Sequence, residues 1–199
     1  QCAFADFSRV LDMASGLLTR SFVWHTAERG RVCVCFERLL GMENAETLAQ
    51  RISLCALDHD VPMEVTLGID GNIAHRANGK CLWQELERGE DTLTLRTATT
   101  DISVRYTQRV SGAGKRQVFG EHRKIAERRK LKLLKNERVT LEKIVTVQTA
   151  RDGEHLPEAS AAMSFDAVLS RNTEHWSRFW RENDIRIDGD ADNQQGIRY

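Results

Sequence analysis

Proline is nearly missing from this chain, with two residues in 199. That scarcity argues against a disordered or polyproline-rich polypeptide. Neither charge sign dominates: 29 Lys and Arg stand against 29 Asp and Glu, for a net charge of zero. A protein devoted to nucleic acid is usually more basic. No stretch approaches the roughly 18 consecutive apolar residues of a membrane span. The first six residues, Gln1 to Asp6, carry no signal-peptide pattern. Cysteine is present, but its five residues (Cys2, Cys33, Cys35, Cys55 and Cys81) are odd in number and irregular in spacing, which is not a disulfide framework. No second ligand pair accompanies Cys33 and Cys35 at a spacing that zinc would need. We read the cysteines as buried, reduced thiols, which points to a cytoplasmic protein.

Catalytic signatures are missing too. The chain has no G-x-S-x-G, no Walker loop and no dinucleotide fingerprint. Asp188, Asp190 and Asp192 alternate as in a calcium loop. Asn193 and Tyr199 occupy the positions where an EF-hand requires glycine and glutamate. Asp58-His59-Asp60, just before Pro62, reads as a turn rather than an acid–base pair. His25, His75, His122, His155 and His175 show no ligand spacing, and Ser111 to Lys115 reads as a flexible loop. No catalytic, cofactor or metal residue is assigned.

What the chain does have is alternation. Val32, Val34 and Phe36 alternate with Cys33 and Cys35, and Ile52, Leu54 and Ala56 with Ser53 and Cys55. Val65 and Leu67 lead into the turn signal Gly68-Ile69-Asp70-Gly71. Leu93 and Leu95, then Ile102, Val104 and Tyr106, then Val139, Leu141, Val145 and Val147 mark further strands. Many short strands separated by turn residues predict a mainly β, antiparallel β-sandwich. Between Glu121 and Arg138 the chain is rich in Lys and Arg. Leu131 and Leu133 alternate with Lys130 and Lys132, so a strand with a charged outer face is expected, turning at Asn136-Glu137 into Val139 as a hairpin. The basic residues read as a solvated face, because no aromatics are interleaved for base stacking.

After Gly153 the pattern becomes helical, opening at Pro157 and Glu158. Phe165, Val168, Leu169, Trp176, Phe179 and Trp180 recur at spacings that stack them on one helix face. That face is expected to dock on a neighbouring domain. Ile185 and Ile187 form a short extended piece, and Asp190 or Asp192 caps a second helix from Gln194 to Tyr199. A helix barely begun at the last residue, and a first residue that is not methionine, predict a longer natural protein.

Four stretches together resemble the N-terminal region of glycoside hydrolase family 65. They are Leu11-Asp12-Met13 with Gly16-Leu17-Leu18-Thr19-Arg20-Ser21-Phe22-Val23-Trp24; Gly68-Ile69-Asp70-Gly71; Leu141-Glu142-Lys143-Ile144 through Thr149-Ala150-Arg151-Asp152; and His175-Trp176-Ser177-Arg178-Phe179-Trp180 followed by Asp184-Ile185-Arg186-Ile187-Asp188-Gly189-Asp190. Gln194-Gln195 and Ile197-Arg198-Tyr199 extend the last of them. Ala150 stands where the family pattern has serine. The resemblance implies a super-sandwich, similar to the galactose-mutarotase fold, over residues 1–153. It implies helical linker residues 154–199 leading toward an (α/α)6 catalytic barrel that this chain lacks. The family includes phosphorylases of α-linked glucose disaccharides, which use inorganic phosphate as co-substrate and no cofactor, and some hydrolases. The implied partners are the protein's own barrel, the disaccharide and a second subunit, with no nucleic acid and no membrane. Two other readings stay open. A stand-alone carbohydrate-binding sandwich would need an exposed aromatic platform, for which Trp83, in the loop-like stretch from Asn72 to Asp91, and Trp24 are the candidates. A nucleic-acid module would use the basic hairpin.

Overall fold

The computed structural model describes residues 3–26, 30–43, 45–151 and 163–198. Eleven strands come first: β1 (Ala3–Asp12), β2 (Leu17–Thr26), β3 (Gly30–Leu40), β4 (Thr47–Ala56), β5 (Val61–Asp70), β6 (Trp83–Arg88), β7 (Thr92–Thr97), β8 (Ser103–Gly112), β9 (Lys115–Glu121), β10 (Lys124–Leu133) and β11 (Arg138–Thr149). Two helices follow among the described residues, α1 (Phe165–Asn183) and α2 (Ala191–Arg198). The strands form two antiparallel sheets. One has eight strands in the order β1-β2-β3-β4-β11-β8-β7-β6, and the other has three in the order β5-β10-β9.

Alternation sets which side chains meet. On β3 and β4, Val32, Val34, Ile52, Leu54 and Ala56 are buried on one face, and on the other sheet Val61, Leu67, Leu131 and Leu133 meet them. Each such side chain contributes roughly 1.5–3 kcal/mol when taken out of water, so this inter-sheet layer holds the sandwich. A second packed region joins Leu93 and Leu95 of β7 to Ile125 of β10, with Ile69, Trp83 and Tyr106 around them. The smaller sheet has three strands against eight, and Phe4, Phe7 and Val10 of β1 stay exposed.

The basic segment forms a strand, with its partner on the other side from the one expected. β10 pairs with β9 through the turn at His122 and Arg123, and with β5. β10 and β11 belong to different sheets, so Asn136 (φ 60°) makes a crossover between layers rather than a hairpin turn. The outward charges find acids: Arg128 lies 3.0 Å from Glu64, and Lys132 3.2 Å from Asp60. Arg129 departs from the charged-outside pattern. It points into the sandwich, where its Nε donates to Glu127 Oε1 at 2.6 Å.

The opposite face of the larger sheet carries α1. Ser164 caps the helix, its side chain accepting from Ala167 N. Phe165 and Val168 are buried against Leu39, Ala49 and Ile144. Arg51 spans the junction, donating to Glu142 at 2.6 Å and to Asp166 at 2.7 Å, with its guanidinium 4.2 Å from the Phe165 ring centroid. The first half of the expected docking face therefore packs on this sandwich and not on a neighbouring domain. The helix start expected at Pro157, and the boundary at 153/154, lie outside the described residues. Cys33, Cys35 and Cys55 are free thiols, but half-buried rather than buried. They share the α1 side of the larger sheet.

Candidate functional site

The second half of α1 builds an aromatic surface from local rules. The residues Val168, Asn172 and Trp176 follow one another at i, i+4 and i+8 along one stripe. Asn172 is buried and clamps the β3–β4 connection: its Oδ1 accepts from Met42 N at 3.0 Å, and its Nδ2 donates to Leu40 O at 2.7 Å. One turn on, the Trp176 and Trp180 rings stack with centroids 6.0 Å apart, and Phe179 meets both edge-on at 5.4 and 5.0 Å. Trp180 Nε1 donates to Met13 O at 2.7 Å, fixing the helix to the β1–β2 turn.

That turn is shaped to receive it. Asp12 closes the loop by accepting from Ala14 N and Gly16 N, and from the Ser15 hydroxyl. Gly16 adopts a φ of +69°, and a Cβ there would lie 2.6 Å from Trp176 Nε1. Only glycine provides both the left-handed backbone and the space for the indole. Met13, Met42, Asn172, Trp176, Phe179 and Arg198 are among the residues lining a cavity of about 630 Å³ between turn and helix.

The linker after α1 is pinned from α2. Asp190 caps α2, its Oδ1 accepting from Asn193 N. Gln194 accepts from Ile187 N at 2.7 Å and donates to Ile185 O at 2.9 Å, which holds the extended piece as a sheet neighbour would. Arg198 grips both carboxylate oxygens of Asp184 at 2.7 and 2.5 Å, and the bond holds that carboxyl below its usual range. Phe179 stays 40% exposed and Ile185 60%, so apolar side chains crown a rigid surface.

The residues singled out in the sequence fall elsewhere. Trp83 is the first residue of β6 rather than part of a loop. It is half-buried beside Leu93, Leu95 and Ile125, and its carbonyl accepts from Arg123 Nη1 at 2.8 Å. Trp24 lies on the inner face of the larger sheet, with its indole Nε1 buried and without a hydrogen-bond partner among the described residues. The two tryptophans belong to separate packed regions and do not form one platform. Asp58 pairs with Arg31 at 2.7 Å, and that bond lowers its carboxyl to about 2. Asp60 Oδ1 accepts from Lys135 N, so this segment is occupied with turn structure.

Two polar groups inside the sandwich escaped the sequence reading. Glu127, 1% exposed, accepts from Arg129 at 2.6 Å and from Arg116 at 2.9 Å, while Arg129 also donates to the carbonyls of Gly114 and Val110. Lys143 points from β11 toward β5 and donates to Gly68 O; burial depresses its amine to about 8. For Asn172 a signal existed, since it interrupts an apolar stripe at helical spacing. For Lys143 it was the cation in a strand whose neighbours Leu141 and Val145 are apolar. Among the described residues, no group of three His, Cys, Asp or Glu side chains is placed to hold a metal ion.

Comparison with known proteins agrees with this architecture. Residues 1–179 match the family model described as glycosyl hydrolase family 65, N-terminal domain. The chain is 24% identical over 212 residues to kojibiose phosphorylase of Escherichia coli (strain K12), and 28% identical over 211 residues to maltose phosphorylase of Bacillus subtilis (strain 168). In both cases the match covers 97% of this chain and 28% of the relative. A solved structure described as a putative kojibiose phosphorylase from human microbiome superposes with a TM-score of 0.87 at 28% identity, over 100% of this chain and 28% of that one. The chain thus spans about 28% of the length of the curated relatives it matches.

Proposed function

The chain belongs to glycosyl hydrolase family 65, as its N-terminal domain, and from that premise we propose that it is the non-catalytic part of an inverting disaccharide phosphorylase. Residues 1–153 supply sandwich, and residues 154–199 supply the linker toward an (α/α)6 barrel that carries the chemistry. The observation that carries this reading is the similarity along 97% of the chain to proteins named kojibiose and maltose phosphorylase. The crown of Phe179 and Ile185 supports it, as a rigid apolar surface suited to cover by a further domain.

In the whole protein, a carboxylic acid of the barrel protonates the glycosidic oxygen as its bond to C1 breaks. Inorganic phosphate attacks C1 from the opposite face, in the place of the base-activated water of an inverting hydrolase. An α-linked glucose disaccharide and phosphate give β-glucose 1-phosphate and the released sugar. No cofactor is required, because the acid and the anionic nucleophile complete the exchange. The protein works in the cytoplasm, and the sandwich contributes packing against the barrel and a homodimer contact. The chain by itself is inactive.

The test is release of glucose 1-phosphate from a panel of α-linked glucose disaccharides, comparing these 199 residues with the full-length protein. Activity of the full-length protein alone, and only with phosphate, is the expected result. Cleavage without phosphate would make the parent a hydrolase, and activity of these residues alone would refute the non-catalytic role.

A further inference from the structure

The β3–β4 ladder fixes how Cys33, Cys35 and Cys55 stand on the α1 side of the larger sheet. Its register sets Cys33 directly opposite Cys55, and Cys35 opposite Ser53. Arg31 O accepts from Leu57 N at 2.9 Å at one end of the ladder, and Thr47 O accepts from Gly41 N at 2.8 Å at the other. Bonded and unbonded pairs alternate along antiparallel strands. The odd-numbered residues of β3 therefore make the hydrogen-bonded pairs, and Cys33–Cys55 is one of them. Such a pair holds its Cα atoms roughly 5.5 Å apart, inside the range that a disulfide spans.

The other combinations of these thiols are worse placed. Cys35 is diagonal to Cys55, at roughly 7–8 Å. Cys33 and Cys35 follow one another on one strand about 7 Å apart, with parallel side chains that do not converge. Burial pushes the Cys35 thiol up, which leaves less of it as the reactive thiolate. Access to the Cys33–Cys55 pair is open, since both thiols are only half-buried. The α1 contact lies at Leu39 and Ala49, about 20 Å away along the two strands. Arg138 stands opposite Cys55 on β11 and is exposed, so a cation flanks the pair.

We propose that Cys33 and Cys55 form a reversible disulfide by exchange with a small-molecule disulfide that carries carboxylates. The thiolate of one cysteine attacks a sulfur of that molecule, which expels one small thiolate and leaves a mixed disulfide. The thiolate of the other cysteine then attacks the protein sulfur of the mixed bond and expels the second small thiolate. One S–S bond breaks and one forms. Two electrons pass from the protein pair to the small molecule, and the two thiol protons end on the released thiols. Arg138 attracts the carboxylates of the incoming molecule. Closing the bond draws together two Cβ atoms that the ladder holds about 5.5 Å apart, toward the roughly 3.8 Å of a relaxed disulfide. A strained, accessible disulfide is readily reduced, so the site is a reversible modification and not a structural cross-link. The exchange needs no catalytic barrel and stands apart from the enzymatic reading.

The test equilibrates the full-length protein with mixtures of reduced and oxidised glutathione, quenches in acid, alkylates the remaining thiols and maps the tryptic peptides by mass spectrometry. The expected product joins peptide 32–38, which holds Cys33 and Cys35, to peptide 52–76, which holds Cys55. It should grow as oxidised glutathione replaces reduced, and vanish when the ratio is reversed. Cys35→Ser is expected to keep the joined product within about twofold of wild type, while Cys33→Ser and Cys55→Ser lower it by about tenfold or more. Loss of the product in Cys35→Ser would overturn the proposal, because Cys35 would then be the partner. So would glutathione that stays attached to Cys33 or Cys55 without giving the joined product. Wild-type protein in which both cysteines remain alkylated at the most oxidising ratio would overturn it as well, independently of how any variant folds.

Discussion

Gly16 and Lys143 show how much a single position can carry. A Cβ at residue 16 meets the Trp176 indole and sits on a left-handed backbone (φ +69°). Gly189 is also left-handed (φ +86°), but none of the described residues lies within 4 Å of its Cβ position. Gly16→Ala is therefore expected to cost at least about 2 kcal/mol, and Gly189→Ala only about 1 kcal/mol, the backbone part alone. Urea unfolding of both variants checks the difference, and equal losses would mean that the indole does not pack on the turn. Lys143 makes its prediction through pH. Its folded amine titrates near 8 against an ordinary 10.5, because burial disfavours the charged form. The folded state therefore binds fewer protons than the unfolded state between pH 8 and 10.5. This group's contribution to stability is present above 10.5 and is lost as pH falls through 8. Lys143→Met removes the charge to be desolvated, so its advantage over wild type is expected to be on the order of 2 kcal/mol larger at pH 7 than at pH 10.5. A pH-independent difference in unfolding free energy would show that the amine is solvated.

Among the elements, β10 separates what alternation reveals from what it conceals. Leu131 and Leu133 point inward as the pattern requires, and Lys130 and Lys132 point outward. The pattern gives a strand and its two faces, but it does not identify the neighbour. Pairing depends on contacts distant in sequence, and here β5 and β9 took the place expected for β11. Arg129 defied the charge rule because Glu127, two residues before it on the same face, supplies a buried counter-charge. Single-residue hydrophobicity does not register such a pair. Removing one member leaves the other buried and unpaired, so Glu127→Leu is expected to cost about 3–5 kcal/mol. Arg129 and Arg116 both donate to that carboxylate, while Arg116 also reaches Asp91 at 2.5 Å outside. Arg129 is thus the charge that Glu127→Leu strands. Adding Arg129→Met to it should restore most of the loss, and a double-mutant cycle by thermal unfolding measures the restoration. Purely additive losses would show that the two side chains are not coupled.

At the scale of the whole molecule, the sandwich and the helical tail were legible because they follow from periods of two and 3.6 residues. The seating of the tail was not. The stripe from Phe165 to Trp180 reads as one docking face, yet its first half packs on Leu39, Ala49 and Ile144 of the same chain. Periodicity shows that a face is apolar without showing what covers it. The candidate sugar residue Trp83 was ambiguous for the same reason: the stretch around it shows no clear alternation, and the pairing of β6 with β7 is visible only in the fold. The half of α1 that remains open gives the last prediction. Ile185 is exposed here, and Phe179 is partly exposed while meeting the Trp176 and Trp180 rings edge-on. Replacing both with Asp is expected to cost the 199-residue chain no more than about 0.5 kcal/mol at Ile185, as for other surface positions, and about 1–2 kcal/mol at Phe179, which loses its edge-on ring contacts. In the full-length protein the same pair would bury two carboxylates against the next domain. Burying unpaired charge is strongly unfavourable, so the single cooperative melt should divide into two transitions, or the melting temperature should fall by several degrees. Differential scanning calorimetry of both lengths reads this directly. Equal effects in the two would mean that solvent, and not a further domain, covers the end of α1.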